Sequence, residues 1–335
     1  MDPLVSIITG TYKRPEYLHR AVASALRSTY PRFELIVSDN GNSADNRAVV
    51  ASFEDPRIRY RANPRNLGIA GNYLAAFREM RGEYFAVLAD DDEWEPDFLA
   101  TLVPALEPNP DVGVACCDHY IIDENGVIDL AATDRVSRHF RRDRLTEGKH
   151  DSLALLGLIW ISIHMGAAAL VRRSTIDFDE FPLAVQIAFD LWLCYQAGKR
   201  HAKVYYCPKR LTRYRIHSNS GSIANFAAEA KDRIFVYSRI LHDKCFPEYE
   251  AQFRWMLSAN HVDCGIALLK RGRLREGSHH LLRGLRMGGW SRLAKRGFAH
   301  AHQLVGTATE RLARPIPAHH VEQRTGEQVR DSEAR

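Results

Sequence analysis

Three consecutive carboxylates, Asp90-Asp91-Asp92, close the apolar run from Tyr84 to Ala89 and lead into Glu93-Trp94-Glu95-Pro96-Asp97. Adjacent aspartates repel one another unless a cation neutralises them, and hard oxygen donors suit magnesium or manganese. Such an ion takes one or two protein carboxylates and completes its shell with substrate phosphates and water. A bare aspartate run is more often an acidic turn ahead of a helix, here one starting near Pro96, so the motif depends on its surroundings. Other polar groups that could join it are Thr11-Tyr12, Asp39-Asn40, Asp190 and His217.

The elements that would position these groups can be read from the apolar pattern. Tyr84 to Ala89 has no polar alternation and predicts a buried parallel strand. Leu4 to Thr9 predicts a first strand, and Pro15 with Leu18, Ala21, Val22, Ala25 and Leu26 predicts a helix after it. A second strand, Phe33 to Ser38, ends in Asp39-Asn40-Gly41, a helix spans about 45–53, and a short third strand runs from Ile58 to Arg61. After Asn63-Pro64-Arg65-Asn66-Leu67-Gly68 a helix from Ile69 to Met80 delivers the chain to the central strand. This alternation predicts an α/β fold with a Rossmann-like, mostly parallel sheet and helices on both faces. Such a sheet would gather Thr11-Tyr12, Asp39-Asn40 and Asp90 to Asp92 at one edge. Asp39 is also good turn chemistry and Tyr12 could be a packing aromatic. The dinucleotide fingerprint of three spaced glycines is missing after strand one, and no phosphate loop ending in Gly-Lys-Ser/Thr occurs, which argues against a dehydrogenase or a P-loop enzyme.

The stretches Val5 to Arg14, Phe33 to Asn40, Asn66-Leu67-Gly68 with Asn72, and Gly82 to Asp97 resemble, in the same order, the family-two inverting glycosyltransferases. A weaker match continues through Phe178-Asp179-Glu180, Asp190-Leu191-Trp192-Leu193 and Tyr214 to Ser220. The resemblance implies the GT-A fold with a C-terminal helical extension, a nucleoside-diphosphate sugar as donor and an acceptor hydroxyl. It implies a nucleotide site of Thr11, Tyr12, Arg14, Asp39, Asn40, Asn66, Asp90 and Asp91, with Asp90 facing the ribose. It implies Mn2+ or Mg2+ held by Asp92, with Asp91 as a second candidate, as in the family's DXD motif, and completed by His217. Arg213 and Arg215 could contact phosphate. The chemical need is clear, since a departing diphosphate builds negative charge that a metal clamp stabilises.

An inverting transfer also needs a base for the acceptor hydroxyl. The family supplies it as the aspartate of a Glu-Asp pair just before a segment like Asp190-Leu191-Trp192-Leu193, but this chain has Ile187-Ala188 there. Asp190 is the nearest carboxylate and the favoured base, with Asp179 and Glu180 further upstream. Trp160 and His164 lie in the middle part that faces the acceptor in the family, where they could stack on an acceptor or hydrogen-bond to it. Buried packing is the other role open to the tryptophan.

The chain of 335 residues carries a formal charge of +5, and the excess belongs to its last quarter: from Ala251 onward there are 15 Lys/Arg against 7 Asp/Glu. The six cysteines show no Cys-x-x-Cys spacing, which fits a reducing cytoplasm rather than a zinc or disulfide framework. No basic leader precedes Val5 and no apolar run reaches the ~18 residues of a membrane span, so a soluble or peripheral protein is expected. The expected organisation is 1–225 for the transferase domain, with 1–120 on the nucleotide-sugar side and 121–225 on the acceptor side, then helices over 226–312 and a polar, disordered tail over 313–335. Ile266 to Gly272 followed by Leu281 to Leu285 reads as a helical hairpin broken at a glycine. Its basic surface, Arg283, Arg286, Arg292, Lys295 and Arg296 with Trp290, could lie against the inner face of an anionic membrane, pack on the catalytic domain or meet a second copy of the chain, and packing is preferred. Gln252-Phe253-Arg254-Trp255 is one residue short of the Gln-x-x-Arg-Trp of chain-extending members, which favours a single addition. The rivals are a nucleotidyltransferase and a non-catalytic sugar-nucleotide-binding or assembly protein. Nucleic-acid binding is not expected, because no aromatic interleaving or known module accompanies the basic tail.

Overall fold

The apolar runs at the start of the chain become neighbouring parallel strands. In the computed structural model, which describes residues 2–200, 202–217 and 226–290, β1 (Val5–Thr11) lies between β2 (Phe33–Asp39) and β4 (Tyr84–Val87), and β3 (Ile58–Ala62) pairs with β2. Helices α1 (Pro15–Leu26), α2 (Ala44–Ala51) and α3 (Gly68–Phe77) make the crossovers. β1 runs two residues past its expected end because pairing with β2 continues to Thr11 and Asp39.

The rest of the sheet is built from β5 (Glu93–Trp94), β6 (Val112–Ile122), β7 (Gly148–His150), β8 (Ala169–Arg172) and β9 (Lys203–Arg215), with α4 (Phe98–Leu106), α5 (Leu130–His139) and α6 (Phe189–Lys199) between them. The strand order is β3-β2-β1-β4-β8-β6-β9-β5, with β7 on β9. β8 is antiparallel to both β4 and β6, and β9 is parallel to β6. β1, β2, β3, β4, β6 and β9 therefore all point the same way, and their carboxyl ends open on one edge.

Alternation along each strand feeds two cores. Ile7 joins Val5, Leu18, Val22, Leu35 and Leu99 on one side of the sheet. Ile8 joins Ile36, Phe77, Phe85, Val114 and Leu193 on the other. That second core continues past residue 225 into α7 (Phe226–Asp243) and α8 (Glu250–Lys270) through Val236, Tyr237, Ile240, Phe253 and Leu257. The expected hairpin is present as α8 and α9 (Leu274–Arg286), with Gly272 at φ +75 between them. The helices approach through glycines, since a Cβ on Gly265 would lie 2.6 Å from the Leu281 amide nitrogen. Arg292, Lys295, Arg296 and the tail 313–335 lie outside the described residues. No helix among the described residues is long and apolar enough to cross a membrane.

Candidate functional site

A cleft of about 650 Å3 lies at the carboxyl ends of the parallel strands. The register that pairs Ile8 with Val87 leads Thr11, at the end of β1, toward Asp90 in the turn three residues past the end of β4. The Thr11 hydroxyl accordingly donates to Asp90 Oδ2 at 2.8 Å. Arg14, from the turn before α1, reaches Asp90 at 3.4 Å and Asp91 Oδ2 at 2.9 Å. His217, just past β9, brings Nε2 to the same Asp91 oxygen at 3.1 Å, and Tyr17 of α1 packs on its ring. Asp92 turns inward, where it accepts from the Arg215 amide at 2.9 Å. Burial pushes the Asp90 carboxyl up to about 7, with the Asp91 charge adding to the effect, and raises Asp92 well above the usual carboxylate range for the same two reasons. Arg215 is fully enclosed, paired with Glu93 and donating to the carbonyls of Asp91, Asp123 and Glu124.

The loops beside the carboxylates are held by side-chain amides. Asp39 is buried and accepts from the amides of Gly41 (2.8 Å) and Ser43 (2.7 Å) and from the Tyr60 hydroxyl (2.7 Å). Asn40 donates to Asn66 Oδ1 and the Gly68 carbonyl and accepts from Asn63 and the Leu67 amide. This network, extended by Asn72 to Ser38, ties the end of β2 to the start of α3. Tyr12 stands 45% exposed at the cleft wall.

A second group of side chains lines the same cleft. Asp190 opens α6, with Oδ1 accepting from the Leu191 amide at 2.7 Å. Burial raises its pKa, and the Arg233 charge opposes that rise. Arg233 and Glu229 come from α7 and pair with each other at 2.5 Å. His119 at the end of β6 and His164 before β8 stack at 5.4 Å, with Tyr214 and Phe140 against them. Burial depresses both imidazoles, His164 to about 3, and the Arg142 cation adds to it.

Residues 6–177 match the model of glycosyl transferase family 2. The chain belongs to that family. A Rickettsia bellii protein named as an uncharacterized glycosyltransferase is 29% identical over 226 residues, covering 66% of this chain, and this chain spans 31% of that longer relative. Two solved structures share the fold of this family 2 glycosyltransferase. S. aureus TarS in complex with UDP-GlcNAc has a TM-score of 0.62 at 14% identity, over 84% of this chain and 79% of that one. The mannosyltransferase PcManGT from Pyrobaculum calidifontis, in complex with GDP-Man and Mn2+, has a TM-score of 0.59 at 17% identity, over 91% and 81%. The α/β architecture is thus the GT-A fold.

The cleft of this family 2 chain gathers Thr11, Tyr12, Arg14, Asn40, Asp90, Asp91, Asp92 and Asp190. Asp39 and Asn66 brace loops beside it and do not line it. Among the remaining candidates, Arg213 pairs with Glu95 at 2.6 Å, Glu180 with Lys199 at 3.5 Å, and Trp160 carries the Arg141 guanidinium 5.0 Å from its ring centre, all away from the cleft. Ala188, where the family's carboxylate is expected, does line the cleft. Sequence reasoning missed His119, Glu229 and Arg233. The last two form an i,i+4 pair on a helix beyond the matched motifs, a spacing too common to mark a site.

Proposed function

We propose that this glycosyltransferase is a metal-dependent, inverting enzyme that moves one sugar from a nucleoside-diphosphate donor to an acceptor hydroxyl. The observation that carries the reading is the meeting of Asp91 Oδ2 and His217 Nε2 at 3.1 Å beside the Thr11–Asp90 contact. Two donors at that spacing can share one divalent ion, and the carboxylate oxygen suits manganese or magnesium. Among the described residues no group of three or more His, Cys, Asp or Glu is arranged to hold an ion alone. That fits a site completed by diphosphate and water. We favour Asp91 over Asp92 as the carboxylate ligand, because Asp91 Oδ2 is the oxygen that meets His217, while Asp92 Oδ1 accepts from the Arg215 amide. When bound, the ion would offset charge building on the leaving diphosphate.

In this reading Tyr12 stacks on the base, Thr11 and Asp90 hold the ribose, and Arg14, released from Asp91, turns to the phosphates. Asp39, Asn40 and Asn66 hold the loops that shape the pocket. Asp190 takes the proton of the acceptor hydroxyl as that oxygen attacks the anomeric carbon. The GDP-Man and UDP-GlcNAc named for PcManGT and TarS support a nucleotide-sugar donor. A single addition is favoured because Gln252 to Trp255 lie on α8, away from the cleft-lining residues.

A thermal-shift screen of nucleoside diphosphates and their sugars, with and without Mn2+, tests the reading. One nucleotide at a hundredfold excess over its Kd should add about 2.7 kcal/mol, a shift on the order of 5 °C. The metal-dependent part should vanish in Asp91→Ala. No response to any nucleotide by the folded protein would remove the proposal.

A further inference from the structure

Each cation near the second group of cleft residues is already matched. Arg142 pairs with Asp118 at 2.7 Å and Arg233 with Glu229 at 2.5 Å. Burial and the neighbouring arginines keep His119 and His164 neutral. No guanidinium in this group is left over for a phosphate or carboxylate, and Asp190 would repel one.

Two imidazoles nevertheless have hydrogen-bonding capacity to spare. Among the described residues the ring of His164 meets only other rings, those of His119, Phe140 and Tyr214. Arg142 Nη2 lies 3.4 Å from His119 Nε2. A guanidinium can only donate, so Nε2 accepts and the proton sits on Nδ1, which is buried without a partner. A neutral imidazole offers one donor and one acceptor, the pair that a sugar hydroxyl satisfies. The aromatic rings around it suit the C–H face of a pyranose.

We infer that the acceptor is an uncharged glycoside, held at its reacting sugar by hydrogen bonds to His164 and by Phe140 and Tyr214 against its ring. This rests on the transferase reading and names the substrate class of its acceptor side. His119 stacks on His164, and among the described residues of this group Asp190 is a carboxylate with no ion pair, placed where a proton has to go.

Saturation-transfer NMR on the full chain tests this, with Mn2+ and the nucleoside diphosphate that stabilises it most. The probes are the methyl glycosides of glucose, galactose, mannose and N-acetylglucosamine, with glucose 1-phosphate as the anionic comparator. At least one methyl glycoside should bind the wild type, more tightly than the phosphate. Affinity should fall about tenfold in His164→Phe, which keeps the ring stack, and recover in part in His164→Gln. Nucleotide affinity should be the same in all three proteins. The inference is overturned if no methyl glycoside binds, if the phosphate binds better, if His164→Phe binds glycoside normally, or if it loses nucleotide as well. Failure of the transferase reading would look different, as no nucleoside diphosphate would stabilise the protein at all.

Discussion

At the scale of single residues the proposed transfer turns on Asp190. It sits two positions past Ala188, at the first turn of α6, and burial raises its pKa while Arg233 opposes the rise. A general base works only when deprotonated, so a raised pKa means activity is full at higher pH and falls as pH drops through that pKa. The acid limb of kcat/KM should therefore lie above the ordinary carboxylate range. Asp190→Asn should lower kcat by roughly 10²–10⁴-fold with nucleotide affinity retained. Near-normal turnover would show that another group takes the proton. The three aspartates are a second lesson at this scale. Their sequence marks the site, yet which of them would face the proposed metal depends on side-chain direction. Asp91 points to His217 and Asp92 to the Arg215 amide.

At the scale of elements the unexpected contributor is α7. Its Val236, Tyr237 and Ile240 are in the core, and the same helix carries Glu229 and Arg233 to the cleft. The turn Leu183–Ala188 packs against it, with the Ile187 amide donating to Asp232 at 3.1 Å. Removing Arg233 takes away a charge that lowers the pKa of Asp190 and leaves Glu229, which raises it. The loss of the Arg233 charge raises the Asp190 pKa. Arg233→Met should therefore move the acid limb of kcat/KM to higher pH, read from a pH–rate profile. An unmoved limb would mean that Arg233 acts on packing alone.

At the scale of the whole molecule, the core crosses residue 225 without a break. Ile8, Phe85 and Leu193 share it with Tyr237, Phe253 and Leu257. A chain ending at residue 225 would expose those apolar partners to water. Such a truncation should bind a hydrophobic dye and unfold without cooperativity, as followed by circular dichroism and dye fluorescence. A sharp unfolding transition with no dye binding would show that 1–225 stands alone.

The local signals that sequence carries well are strand periodicity and turn chemistry, and they located β1, β2, β3 and β4 with the polar residues at their ends. This half was legible because parallel strands with short crossovers put chemistry at predictable chain positions. Asp39 and Asn40 were visible too, but their work as loop braces needed the hydrogen-bond partners to be seen. What tertiary structure alone decided was long-range. The antiparallel β8 between β4 and β6, the His119–His164 stack across 45 residues, and the arrival of Glu229 and Arg233 from a later helix all depend on packing between distant segments. Periodicity reports which face of an element is buried and carries no information about what buries it.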